Sequence, residues 1–272
     1  MIESEINKLK EKAGWVRRET LRLHALAPQT RVASSLSCVE ILTVLYYGGI
    51  LRFDPDNVFD EGRDRFVVSK GHGSISMYPI LADLGFIGSR ELEDICKNGS
   101  CLGGIPDPIV PGYETINGSL GHGLGVACGI ALALKHKGSD RNVFVLLGDG
   151  ELYEGSNWEA IMFASQHKLD NLILIIDNNK VSMLDLCKNI IDLEPLDQKF
   201  EVFGWETRTI DGHDIKVVTA ALTGLKEMRR NKPKVVIADT LKGKGVPRLE
   251  NDPLSHIRVL DKSEVESLLE KL

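Results

Sequence analysis

Two apolar runs, each ending in a polar, turn-forming cluster, constrain this chain more than any other feature. Val143–Leu147 leads into Gly148-Asp149-Gly150-Glu151, and Leu172–Ile176 leads into Asp177-Asn178-Asn179. Neither run alternates apolar with polar residues, which is the pattern of a strand covered on both faces. Between them Trp158, Ile161, Met162, Ser165 and Leu169 mark one face of a helix. Asp149 and Asn179 stand 30 residues apart, the length of one strand–helix–strand unit. A right-handed crossover brings both carboxyl ends to the same sheet edge, where open α/β sheets bind ligands. A carboxylate and an amide oxygen meeting there suit a hard divalent cation such as Mg²⁺, which takes about six oxygens and shares those of phosphates. The glycines let the backbone approach a phosphate, and the following helix offers its N-terminal amides. Asp-Gly and Asn-Asn are also ordinary turn dipeptides. Their joint spacing and strand context are what point to a site.

The rest of the chain repeats this rhythm. Ile6, Leu9, Ala13, Val16 and Leu21 predict a long first helix. Ser37 and Glu40 read as a capping box before the apolar run Ile41–Tyr47, and Gly48-Gly49 stops that helix. Asp54-Pro55-Asp56-Asn57 is turn chemistry. Phe66-Val67-Val68 reads as a short strand, followed by Lys70-Gly71-His72-Gly73 and a helix through Leu84. Gly118–Gly129 runs into an apolar helix ending near Lys135. Thr207–Ile210, Val217–Met228 and Val235–Thr240 form a further strand–helix–strand unit. The expected fold is therefore α/β, a mostly parallel sheet with helices on both faces. No internal repeat or linker divides residues 1–272, so a single domain is expected.

Composition narrows the function. A chain of 272 residues buries roughly three quarters of its extended surface without staples. Lys plus Arg number 33 against 39 Asp plus Glu, a net charge of -6, so no general nucleic-acid surface is expected. The five cysteines contain no CxxC pair, which argues against a disulfide framework or zinc site and fits a reducing cytosol. Met1–Lys12 has no apolar signal core. Leu124–Leu134 and Leu172–Ile176 fall short of the roughly 20 residues of a membrane span. A cytoplasmic protein without membrane contact is expected. No GxxxxGK[ST] string supports a phosphate-loop nucleotidase.

The clusters also carry a resemblance. GDG followed at this interval by NN resembles the thiamine-diphosphate motif. The strings FVVSKGHGS, NGSLGHGLG, GDGELYEGSNWEA, HKLDNLILIIDNN and DTLKGKGV are similar to transketolase. The likeness covers nearly the whole chain but only the N-terminal, diphosphate-binding half of the usual polypeptide. It implies that the side chains of Asp149 and Asn179, with the Val181 carbonyl, ligate Mg²⁺ (or Ca²⁺ or Mn²⁺). Gly150 donates its amide to the diphosphate of thiamine diphosphate, beside Glu151 and His72. Gly118 and Leu120 border the thiazolium side, Met183 is an apolar neighbour of that ring, and His256 reaches the reacting centre. Glu154 and Glu159 match acids buried between paired cofactors, although acids also suit a helix N-terminus. His122 and His167 read as structural, and His213 as a helix-start residue.

The resemblance further implies a transfer of a two-carbon ketol unit between sugars or sugar phosphates. The glutamate and aromatic residues that engage the cofactor's pyrimidine belong to a domain absent from this chain, as does the C-terminal domain. A separate subunit carrying the missing part is expected, in a heterotetramer of two copies each. Two positions depart from the pattern. Arg31 stands where the family has a substrate-binding histidine in GHPGGSLS, and Ile105 where GHPD has a second. Arg carries five fixed donors and Ile none, so neither exchange is conservative. A local shift in alignment is one explanation; a modified, branched or deoxy ketose is the other. Rival readings are a 1-deoxyxylulose-5-phosphate synthase, a 2-oxo-acid dehydrogenase alpha chain, and a non-catalytic regulatory homologue.

Overall fold

Five strands, β1 (Arg65–Val68), β2 (Val143–Gly148), β3 (Leu172–Asn178), β4 (Glu206–Asp211) and β5 (Lys234–Asp239), pair in the order β1-β2-β3-β5-β4, parallel throughout. The structure is a computed structural model that describes residues 3–250 and 252–271. Met1 and Ile2 of the leading segment, and Asn251 and Leu272 of the expected domain, lie outside the described residues. The helices described are α1 (Glu3–Leu26), α2 (Val32–Leu36), α3 (Val39–Tyr47), α4 (Met77–Asp83), α5 (Gly123–His136), α6 (Gly155–Gln166), α7 (Cys187–Ile190), α8 (Leu196–Val202), α9 (Ile215–Glu227), α10 (Pro247–Glu250) and α11 (Lys262–Leu269).

The unbroken apolar runs serve two cores, because successive strand residues face opposite ways. Phe144, Leu146, Ile173 and Ile175 enter a core closed by α1, α3, α4 and α9. Val145, Leu147, Leu174 and Ile176 enter a second core beneath α5, α6 and α8. A smaller cluster, with Leu21, Leu36, Val246, Leu260 and Val265, straps the C-terminal segment onto α1 and α2. Edge strand β4 is half exposed and carries Glu206 and Arg208, charges that discourage further strand pairing.

Two local expectations give way to tertiary contacts. Ser37 does not cap α3. The N-cap is Cys38, without a side-chain bond, while the Ser37 hydroxyl donates to Asp177 Oδ2 at 2.6 Å and Glu40 is drawn to Arg17 and His213. Met162 is half exposed, and Leu169 lies buried in the turn beyond α6. His213 precedes the start of α9, which Asp214 caps by accepting from Lys216 N and Val217 N.

One buried group ties stability to pH. The Leu260 amide donates to His24 Nε2 at 3.2 Å, so the ring proton lies on Nδ1, 2.9 Å from Thr30 Oγ1. Burial lowers the His24 pKa to about 4. The unfolded chain therefore binds the extra proton first, and stability falls as pH drops from the ordinary histidine range toward 4, by up to about 3 kcal/mol. Urea unfolding across that window should give a shallower slope of stability against pH for His24→Gln than for the wild type. Equal slopes would mean that His24 does not carry this dependence.

Candidate active site

The register pairs Gly148 with Asp177, so Asp149 and Asn179 leave neighbouring strands at the same end. Asp149 Oδ1 accepts from Gly150 N at 2.7 Å and Oδ2 from Lys180 N at 2.5 Å. Asn179 Nδ2 donates to Asp177 Oδ2 at 3.0 Å, and its oxygen accepts from Val181 N at 3.2 Å. Burial, then the charge of Asp177, pushes the Asp149 carboxyl up to about 6. It has no ion-pair partner among the described residues. Burial and a second carboxylate raise the Asp149 carboxyl, with the Lys242 ammonium opposing them, an environment in which a bound cation stabilises the ionised form. Among the described residues no group of three or more His, Cys, Asp or Glu is placed to hold a metal ion. One carboxylate, one amide oxygen and the Val181 carbonyl are hard donors that leave room for phosphate oxygens and water, so the residues fit Mg²⁺ or Ca²⁺. The Val181 carbonyl already accepts from Lys242 Nζ at 2.7 Å. A carbonyl has two lone pairs, so that bond leaves a second for a cation.

A cleft of about 450 Å³ opens over this end of the sheet. It gathers Arg31, His72, Ile105, Gly118, Leu120, Asp149, Gly150, Glu151, Asn179, Val181, Met183 and His256 from separate stretches of sequence. The His72 and His256 rings lie 4.9 Å apart, and Ser34 Oγ is 3.4 Å from His256 Nδ1. Burial, then Lys70, holds His72 well below the ordinary histidine value. Burial, then Lys242 and Arg31, lowers His256 to about 3. Both rings are therefore neutral near pH 7. A second cleft of about 440 Å³ shares Asp149 behind residues 180–196. Its walls, Leu186, Ile191, Leu193 and Leu196, are largely apolar, and it lacks the glycine amides.

The acids after the first cluster separate. Glu151 lines the cleft, but its carboxylate accepts from Ser69 Oγ, Gly121 N at 3.0 Å and Gly148 N at 3.3 Å, which ties three loops together. Gly121 is required there. Its φ is +88°, and a Cβ would stand 2.5 Å from Glu154 Cβ. Glu154 is the N-cap of α6 without a side-chain capping bond. Glu154 and Glu159 are both exposed on this chain, outside the cleft.

Sequence reading missed the charges beneath the cleft. Lys70 and Asp177, almost fully buried, form an ion pair. Burial opposes both charges, yet each holds the other, so Lys70 stays above its ordinary pKa and Asp177 below. Lys70 Nζ also donates to Ser34 O at 2.9 Å, and Thr240 Oγ1 donates to Asp177 Oδ1. Lys242 is buried as well; burial, then Lys70, lowers its pKa to about 8. Both lysines lie inside the SKGHG and TLKGKG strings, where their type, a cation beside phosphate-approaching glycines, is the available signal.

The profile described as "Transketolase, thiamine diphosphate binding domain" matches residues 28–272. The chain belongs to the transketolase family. It is 43% identical over 268 residues to an apulose-4-phosphate transketolase subunit of Actinobacillus succinogenes, covering 98% of this chain and 96% of that one. The 6-deoxy-6-sulfo-D-fructose transketolase subunit SqwG of Clostridium sp. MSTE9 is 35% identical, covering 94% of this chain and 92% of the relative. Human transketolase is 35% identical over 99% of this chain, which spans only 43% of it. The transketolase structure from Campylobacter jejuni superposes with a TM-score of 0.91 at 33% identity, covering 100% of this chain and 43% of that one. The chain is thus a transketolase-type transferase subunit carrying the thiamine diphosphate-binding domain, with the α/β fold of the transketolases. Relatives named as transketolase subunits favour this over the synthase, dehydrogenase and regulatory readings. Among the described residues no helix is long and apolar enough to cross a membrane.

Proposed function

We propose that this single diphosphate-binding domain works in the cytoplasm as one half of a two-chain transketolase, an α₂β₂ assembly whose other subunit carries the pyrimidine-binding and C-terminal domains. The convergence of Asp149 and Asn179 beside the Gly150 amide carries the reading. Asp149, Asn179 and the Val181 carbonyl would hold Mg²⁺, and the Gly150 amide, which donates to Asp149 Oδ1 in the free chain, would turn to the diphosphate once the cation takes up that carboxylate. Bound thiamine diphosphate supplies a thiazolium that stores the electrons of the bond cleaved beside a ketone. Gly118, Leu120 and Met183 wall the space that ring needs. His72 and His256, neutral and in ring contact, hold and pass protons on the substrate side. Glu154 and Glu159, exposed on this chain, are free to meet a second copy. Mixing the purified chain with its partner should give ketol transfer that neither gives alone. Turnover by this chain alone would sink the two-chain reading.

The substrate is a ketose bearing an anionic group. Two relatives are named for such sugars, a 4-phosphate and a 6-sulfo compound. Arg31 lines the cleft near His256, and its guanidinium makes no hydrogen bond or ion pair with a described residue. Ile105 adds an apolar wall: it packs against Gly118, whose Cβ would lie 3.7 Å from Ile105 Cδ1. In the reconstituted enzyme Arg31→Gln should cut kcat/KM for a phosphorylated ketose about tenfold more than for the same ketose without phosphate. An unchanged ratio would remove Arg31 from donor recognition.

A further inference from the structure

We infer that Arg17, Glu40 and His213 form a relay that sets the position of Lys242 against the cation end of the cleft. The relay joins four parts of the fold. Arg17, on α1, donates to Glu40 Oε1, to Leu36 O at 3.1 Å and to Lys244 O at 2.5 Å. The other oxygen of Glu40, on α3, lies 2.9 Å from His213 Nδ1. His213 Nε2 accepts from Leu241 N at 2.8 Å, which fixes the proton on Nδ1, facing Glu40. Arg17 and His213 therefore grip the segment after β5 at residues 244 and 241, on either side of Lys242.

The rest of that segment is held by turn bonds: Lys244 N donates to Leu241 O at 3.2 Å, Val246 N to Gly243 O at 3.0 Å and Gly245 N to Glu250 Oε1 at 2.8 Å. Residues 241–245 belong to no helix or strand, and Gly243 and Gly245 take positive φ values of 77° and 90°. The Gly243 amide donates to Ala33 O at 3.0 Å. Lys242 in turn donates to Val181 O at 2.7 Å and Ser182 O at 3.1 Å, the stretch that follows Asn179. A buried ion pair is weak evidence of stabilisation, since apolar residues of the same volume often do as well, but it specifies one geometry. Here the geometry specified is that of a loop carrying an ammonium into a ligand site. His213 is thus a positioning residue that acts through Lys242. None of its own atoms lines the cleft.

The inference rests on the cation–diphosphate reading above, and one titration series separates the two. Thiamine diphosphate is titrated calorimetrically into the chain reconstituted with its partner subunit at fixed Mg²⁺, for the wild type, His213→Phe, His213→Gln, Lys242→Met and the double variant His213→Phe/Lys242→Met. Loss of an outer partner of a metal site costs about 10- to 100-fold in affinity. His213→Phe should weaken binding about tenfold, while His213→Gln, whose amide both accepts and donates, should stay within about threefold. The double variant should bind no more weakly than Lys242→Met, because the relay acts only through that lysine. Multiplying losses in the double variant, or wild-type affinity in His213→Phe, would overturn the relay. Failure of the wild type to bind would overturn the site reading itself, and the relay with it. Should His213→Phe not fold, Arg17→Lys enters the same cycle: it keeps a charge on Glu40 but gives up the fork that reaches Lys244 O, and the same non-multiplying loss with Lys242→Met is expected.

Discussion

Asp149→Asn should lower the affinity for Mg²⁺ with thiamine diphosphate by at least about 100-fold while leaving the melting temperature of the free chain within a few degrees. The affinity loss exceeds that of an outer partner because the only carboxylate in the donor set is gone. The stability result comes from two opposed effects. Above neutral pH the wild-type carboxylate is ionised against burial that pushes its pKa up to about 6, and losing that charge relieves about 3 kcal/mol. Both of its oxygens accept backbone amides, from Gly150 and Lys180. Asparagine must turn an NH₂ toward one of them, which costs about 1–3 kcal/mol. Calorimetry and thermal melts of the same preparation check both halves. A variant that melts far lower would mean Asp149 is chiefly structural, and one that binds normally would remove it from the metal site.

The second large effect lies under the cleft. Lys70→Met should destabilise the chain by about 3–5 kcal/mol, because it leaves Asp177 charged and buried without its ammonium. For a domain of this size that is a fall of about 10 °C in melting temperature. Adding Asp177→Leu to Lys70→Met should restore part of the stability, since it removes the unpaired buried charge, while Ser37, Thr240 and Asn179 each lose an acceptor. It should not restore cofactor binding. Asp177 Oδ2 accepts from Asn179 Nδ2 at 3.0 Å, and without it the Asn179 amide keeps only the Val181 N–H at 3.2 Å and a long contact with the Asp177 carbonyl at 3.5 Å to orient it. Thermal melts with and without cofactor separate the two roles. Recovery of both stability and binding in the double variant would mean that Asp177 does not orient Asn179.

The fold was legible because its signals are local and redundant. The apolar runs Val143–Leu147 and Leu172–Ile176 have the β-rich, unalternating pattern of covered strands, and their spacing suits one connecting helix and one shared edge. The cleft was legible to the extent that its residues sit in strings with their own logic: Gly148-Asp149-Gly150, Asp177-Asn178-Asn179, Lys70-Gly71-His72. What stayed hidden depends on partners far away in sequence. Ser37 has the chemistry of a helix cap, yet its hydroxyl is taken by Asp177, 140 residues on. Glu40 looked like the other half of that cap and instead meets Arg17 and His213, the latter 173 residues away. Met162 matched the helical period but falls at the border of the buried face, because α6 packs mainly through Asn157, Ala160, Ile161 and Ala164. Periodicity reports which face is apolar; it does not report which buried charges find each other across a sheet.

The proposed function requires that one strand's acid and the next strand's amide share a cation that anchors a diphosphate. Crystals of the full chain soaked with Mn²⁺ and thiamine diphosphate test it most directly, through the anomalous signal of manganese. One strong peak is expected within metal–oxygen bonding distance of an Asp149 carboxylate oxygen, the Asn179 amide oxygen and the Val181 carbonyl, with diphosphate density against the Gly150 amide. Manganese bound elsewhere, or a cleft that stays empty at saturating cofactor with Asp149 and Asn179 turned apart, would contradict it.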